Sequence, residues 1–556
     1  MHGQMAKPKL AQAGQSLVGS QNVPKGADAA AKHRYPCAFS ALASVPGIYC
    51  GVVSRDGSGP DVKLTGALIE HLAIRMDGNI RRGEDGGSFN TSIPSGYTYL
   101  AQFAAHDLTM NSRAAVDLFC PPTQENLRSR ALMLDTLYGT GPQTSPHCHA
   151  WPEDPTEPPV HLRLEPVRIG SKAGPLRDIG RMIDKSGGIV RSIPLIADAR
   201  NDDNAVVSQI TALFSMVHNA AVGKMPANWS ADERYFGARL AVTAAFRSII
   251  RNDLVRRLVE PKTFAWYDGS KSEDRFLAKG LKHRPVSAEF AHAVYRMGHA
   301  MVRPEYRFNL KSESHPLASV IERNSLKRPR DMPFDREWIA QWSLFFDLGR
   351  REPQPSMLIG PGYAGPLIRA FKHPKDSEGG GLARRDLLRG TVSGVSTLAR
   401  LRERIAENAP ADYPNRAWLL DAARHRKMVR EWLEASSHAL DPSGGLGNMP
   451  KALAEIAVSD PPLGLFVLIE ASQKPWSGKS LGPIGSMITA ETFFRALEDE
   501  SSFDTIMPRA GFGAAEAVKA AFGQMPETMP ALIRWLDRNL PETEKRLPGG
   551  SPLPLV

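Results

Sequence analysis

Two stretches of this chain put polar groups capable of chemistry where a helix would otherwise be apolar. In "GYTYLAQFAAHDLTMNSR", His106 and Asp107 stand side by side among Phe103, Ala104, Ala105 and Leu108. Buried polar groups need partners, so both residues require an explanation. A core histidine satisfied by a backbone carbonyl is one. A general base facing a reactant, with Gln102 four residues earlier on the same helix face, is the other. The second stretch is "VSAEFAHAVYRMGHAMVRPEYRF". The spacing predicts a helix capped by Ser287, with Phe290, Val294, Met297 and Met301 as its buried stripe. His299 lies one turn beyond Arg296, so an imidazole and a guanidinium can address one ligand, as a metal-bearing anion would require. His292, two turns earlier, is the competing candidate on the same face.

The elements that must position these residues are mostly helices. Asn204–Lys224 repeats apolar residues at Val206, Ile210, Leu213, Phe214 and Val217, a 3.6-residue period, and Asp232–Val259 and Arg416–Leu440 read the same way. Alternating strands are scarce, so the chain reads as mainly α, with a loop-rich first third punctuated by Pro and Gly. The first 40 residues read as a flexible arm and 546–556 as an irregular tail.

Composition narrows the function classes. Of 556 residues, 42% are hydrophobic and 23% charged, the balance of a globular protein. The net charge of +10 is interspersed, without a basic arm or stacking motif, which argues against a nucleic-acid partner. Apolar runs such as Leu463–Ile469 are too short to span a bilayer, and the N-terminus lacks the apolar core of a signal peptide. The expectation is a soluble protein, cytoplasmic or exported by a route without such a signal. Four cysteines without a CxxC pair suggest no zinc or iron–sulfur site, and His147, Cys148 and His149 read as surface residues of a Pro-rich loop.

Four blocks then occur in order. "IPSGYTYLAQFAAHDLT", "DARNDDNAVVSQITALFSMVHN", "AVYRMGH" and "LARRDLLRGTVSGV" resemble the distal-histidine, distal-arginine, proximal-histidine and proximal-support segments of the animal-type haem peroxidases, the peroxidase–cyclooxygenase superfamily, in its bacterial form. The resemblance spans Ile93 to about Arg400. It implies one large helical haem domain, 41–545, in place of the three or four domains that length alone suggests.

By this resemblance the chain binds haem b through His299, with Asp386 accepting the other ring proton. His106 and Arg200 are the implied catalytic pair on the open face, with Gln102 beside them. Arg296 and Arg389 match the propionate-binding arginines. The implied reaction reduces hydrogen peroxide, by way of a ferryl state, and oxidises a small donor or halide. Asp107 would face away from haem into a calcium site completed by Ser129, the Ala131 carbonyl and Asp135.

The chain also departs from the family. Ala105 replaces the carboxylate that forms one haem ester in many vertebrate members, and Asp203 is shorter than the Glu usual at the second ester position, leaving at most one link. Asn204 follows it, where one vertebrate enzyme forms a sulfonium link. Met133 stands where calcium would prefer a carboxylate. Asp386 replaces the more frequent Asn. Two other functions stay open. A fatty-acid oxygenase would need a radical-forming Tyr at the position of Arg296, and Tyr295 is about 100° away around a helix. A catalytically idle haem-binding interaction or adhesion protein would make no use of the His106/Arg200 pair.

Overall fold

The most apolar of the three long helical patterns becomes a buried helix of the fold. In the computed structural model Ala205–Val222 is helical, with Asn204 as its cap: Oδ1 accepts from the Val206 and Val207 N–H groups at 3.1 and 3.0 Å. This helix is long and apolar enough to cross a membrane, but 89% of it is buried inside the protein. Phe103, Phe214 and Phe246 bind three helices together. Phe103 and Phe214 stack at 5.3 Å, and Phe246 meets both edge-on at 5.8 and 5.6 Å. Those helices are Gly96–Leu108, Ala205–Val222 and Ala231–Ile249, the last opened by a Ser230/Glu233 capping box.

The structure describes residues 33–34, 62–78, 89–110, 125–128, 132–154, 156–170, 172–271, 275–277, 286–365, 367, 381–440, 449–498, 512–548 and 551–556. Of the expected arm, all but His33–Arg34 lies outside them, as do Ser129 and Ala131. His33–Val556 forms one compact unit. Helix accounts for 56% and strand for 11%, which makes the protein mainly α.

The strands among the described residues form short antiparallel pairs. Leu164–Ile169 pairs with Lys172–Ile179, and Arg181–Asp184 with Arg191–Pro194. These hairpins occupy part of the stretch expected to be loops. Their strands run four to eight residues, too short for periodicity to announce them. The C-terminal residues are irregular yet docked: Leu553 and Leu555 are buried, and the Trp342 N–H donates to the Leu555 carbonyl at 2.8 Å.

Two expected helices are interrupted. Arg416–Leu440 breaks at Asp421 into Arg416–Leu420 and Ala422–Leu440. The helix expected over "VSAEFAHAVYRMGHAMVRPEYRF" is shorter and kinked. Ser287 Oγ caps Ala288–His292 by accepting from the Phe290 N–H, Ala293 leaves helical geometry at φ −131°, ψ −73°, and Val294–Met301 continues as a 3-10 helix. Beyond it, Glu305–Arg307 is a strand. His292 therefore does not share a face with His299, which corrects the sequence expectation.

Candidate active site

The helix carrying His106 opens at Gly96, where a Cβ would stand 2.6 Å from the Phe345 carbonyl oxygen and from the Phe346 ring. Glycine lets the helix start against that wall. Ten residues on, His106 is 7% exposed, and its Nδ1 lies 2.8 Å from Asn201 Oδ1. An amide oxygen only accepts, so the proton resides on Nδ1 and Nε2 carries the lone pair. Asn201 Nδ2 in turn donates to the Thr136 carbonyl at 3.4 Å, which sets the amide's orientation. Burial, reinforced by the Arg200 charge, pushes the His106 imidazole down to about 4. It is a neutral base at neutral pH.

Asn201 and Arg200 lie on the short 3-10 turn Ala199–Asp202, and Asp198 caps it by accepting from the Arg200 N–H at 3.0 Å. The same carboxylate holds the Arg200 guanidinium, through Nε at 3.0 Å and Nη2 at 2.6 Å. Nη2 and Nη1 also donate to the carbonyls of His106 and Thr109, each at 2.8 Å. Arg128 pairs with Asp198 and donates from Nε to the His106 carbonyl at 3.1 Å. Burial raises the Asp198 carboxyl, but Arg200 and Arg128 outweigh it and hold the group well below the usual carboxylate range. Gln102 Oε1 accepts from Asn204 Nδ2 at 3.1 Å.

The turn is anchored from behind by Arg181, whose side chain is fully buried between Asp178 and Asp202 at 3.0 and 2.8 Å. Asp203 ends the turn. Its side chain is exposed, with the charges of Arg200, Asp198 and Asp202 close by. Burial pushes its carboxyl up to about 7 against the pull of Arg200, with Asp198 and Asp202 adding to the rise.

His299 and Arg296 sit one 3-10 turn apart and both reach Asp386, from the helix Gly381–Val392. His299 Nδ1 is 2.6 Å from Asp386 Oδ2, and Arg296 Nη1 donates to Oδ1 at 2.8 Å. Burial would raise this carboxyl, but His299 and Arg296 overrule it and lower it. His299 Nε2 points away from this pairing, on a side chain 34% exposed. Tyr295 ties this segment to the His106 helix, donating to the Ala101 carbonyl at 3.3 Å.

Arg389 is separate from this group. It is buried, and its Nε donates to His292 Nδ1 at 3.1 Å. His292 is thus a buried partner of an arginine. The Asp107 carboxylate faces the turn at 134–136, accepting from the Leu134 and Thr136 N–H groups at 2.8 and 3.1 Å. Asp135 meets Arg239 at 3.5 Å, and Met133 is buried with Sδ 3.8 Å from Arg247. Among the described residues no three His, Cys, Asp or Glu side chains are grouped to hold a metal ion. Cys148 and His149 are buried, correcting the expected surface placement, and both His149 ring nitrogens bond to protein, at Ser145 O and Tyr235 Oη. His218 is similarly spent on Tyr138 Oη and the Val160 carbonyl.

The residues fit haem on two observations. Each imidazole spends Nδ1 on an acceptor and keeps Nε2, and the buried Arg296 Nε has no hydrogen-bond partner among the described residues, a cationic donor that an acidic ligand group would satisfy.

Residues 177–345 match the family model described as animal haem peroxidase, a segment holding Arg200, Arg296 and His299. Thyroid peroxidase from Homo sapiens is 28% identical over 204 residues, covering 35% of this chain and 21% of that protein. The Canis lupus familiaris protein of the same name is 29% identical over 127 residues, covering 22% and 13%. The chain therefore spans about a fifth or less of the curated relatives it matches. Among solved structures, the fatty acid alpha-dioxygenase of Oryza sativa aligns with a TM-score of 0.50 at 14% identity, over 82% of this chain and 76% of that one. This is a likeness of fold.

Proposed function

We propose that this chain belongs to the animal haem peroxidase family and is a haem-dependent peroxidase that reduces hydrogen peroxide and oxidises a small donor or halide. The observation that carries the reading is the pair of imidazoles, His106 and His299, each oriented through Nδ1 and each left with a basic Nε2. Haem held through His299 would supply the redox-active iron and an open coordination position for peroxide.

The chain's own residues then move the protons. His106, neutral and lone-pair-bearing at Nε2, takes the proton from one peroxide oxygen and returns it to the departing one. Arg200 is held by Asp198 and two carbonyls, so its charge is oriented before any bond breaks, and a donor of this kind contributes roughly 3 kcal/mol. Gln102, turned by Asn204, orients solvent beside His106. Asp386 pulls on the His299 Nδ1 proton and so increases the donor strength of Nε2. Arg296 is the propionate partner the geometry favours. Arg389 instead donates from Nε to His292 Nδ1.

The oxygenase reading has weaker support. The position three residues before His299 is Arg296, and Tyr295 is buried, tied to Ala101 and stacked on Phe290 at 4.5 Å. Purified protein loaded with haem should show a Soret band and oxidise guaiacol with peroxide. His299→Ala should lose that band while His292→Ala keeps it. The reverse pattern, or oxygen uptake with a fatty acid and no guaiacol oxidation, overturns the proposal.

A further inference from the structure

Asp386 is met by a third donor. Tyr363 Oη donates to Oδ2 at 2.9 Å, the same oxygen that accepts from His299 Nδ1. Tyr363 is 2% exposed, and its ring stands edge-on to the His299 imidazole with centroids 6.0 Å apart. It reaches this position from the "GPGYAG" segment, where a tight turn is closed by the Gly362 N–H on the Gly360 carbonyl at 2.8 Å. Arg296 occupies the other oxygen, Oδ1. Both oxygens of one buried carboxylate are therefore engaged, and two donors compete for Oδ2.

We propose that Tyr363 is a positioning residue that limits how strongly Asp386 pulls on the His299 Nδ1 proton, and so sets the electron donation of His299 to its ligand. The physical reason is charge sharing. A hydroxyl donating to Oδ2 stabilises negative charge on that oxygen and weakens it as an acceptor for the imidazole N–H. Removing the hydroxyl leaves His299 as the only donor to Oδ2 among the described residues. Its hydrogen bond then tightens, the ring gains imidazolate character, and Nε2 becomes the stronger ligand. Tyr363 would thus act against Asp386, and the two substitutions should move the same observable in opposite directions.

This inference rests on the haem-binding reading, and the experiment separates the two. In the haem-loaded protein, Tyr363→Phe should raise the iron–histidine stretching frequency. It should also shift the ferric/ferrous equilibrium roughly threefold to tenfold toward ferric, a potential lower by up to about 59 mV. Asp386→Asn should move both readouts the opposite way. In the haem-free protein, the His299 Nδ1 proton should resonate further downfield in Tyr363→Phe than in the parent chain, by NMR with labelled histidine. Failure of the parent chain to bind haem would sink the haem reading alone, and the NMR shift would still decide the role of Tyr363. Unchanged frequency, potential and proton resonance in a folded Tyr363→Phe protein would reduce Tyr363 to a packing residue and overturn the proposal.

Discussion

Asn201 Oδ1 lies 2.8 Å from His106 Nδ1, and this one contact decides which nitrogen of the buried imidazole is basic. Replacing Asn201 with Ala removes the acceptor and frees the ring to turn. The reaction with peroxide should slow by roughly 10- to 100-fold, the usual loss when such an orienting partner is removed. Stopped-flow rates equal to those of the parent chain would show that His106 needs no orientation. Asn201→Asp should keep most of the rate, because a carboxylate accepts the same proton.

The His106 imidazole is pushed down to about 4, mainly by burial. The peroxide reaction should therefore stay flat as pH falls from 7 and decline only near 4. In Asn201→Asp the added negative charge favours imidazolium, so the decline should begin at higher pH. Stability follows the same groups. His149 and His425 are also lowered to about 4 and His218 to about 3, each chiefly by burial. Unfolded, each would titrate near about 6.5 and bind more protons than the folded form. These histidines should accordingly make the unfolding free energy rise with pH between about 4 and 6.5, against the opposite slope contributed by Asp203, Glu470 and Asp460, whose carboxyls burial raises to about 7, 7 and 6. Denaturation curves across pH 4 to 7 test the sign.

Asp386→Asn replaces the carboxylate on the His299 Nδ1 proton with an amide, a weaker acceptor. The ferric/ferrous potential should rise by several tens of millivolts, where ~59 mV is a tenfold change in the equilibrium constant. Spectroelectrochemical titration measures it directly. No change with haem fully bound would mean that the 2.6 Å contact has no electronic effect.

Arg181 is fully buried between two aspartates, and Ser325 Oγ and Ser208 Oγ accept its remaining donors. Arg181→Met would leave Asp178 and Asp202 as uncompensated buried charges. The expected loss is about 3–5 kcal/mol of stability, read from urea denaturation. Because Asp202 is on the turn with Arg200 and Asn201, haem-site function should weaken before global unfolding.

Asp203 is the only one of the two expected ester positions with a carboxylate, since Ala105 cannot form a link. Acidified butanone should extract much of the haem as unmodified protohaem. Near-complete retention on the protein, lost in Asp203→Ala, would show that the single ester forms efficiently.

The sequence alone determined the features that depend on neighbours along the chain. The period of Val206, Ile210, Leu213 and Val217 specifies a buried helix, because apolar side chains three and four apart share one face. Ser287 announced a helix start, because a cap bonds to an N–H two or three residues away. The spacing of Arg296 and His299 put both on one face, and the three-residue turn of the 3-10 helix preserved it. Tertiary structure decided what depends on distant partners. The His106 tautomer is set by Asn201, across 95 residues, and the Asp386 carboxylate is shared by groups 23 to 90 residues away. The kink at Ala293 and the pairing of Arg389 with His292 come from packing between helices, for which periodicity carries no signal. Tyr363 had no local signature either. A hydroxyl finds its acceptor only when the fold closes, because the strength of that bond lies in burial and geometry and not in residue spacing.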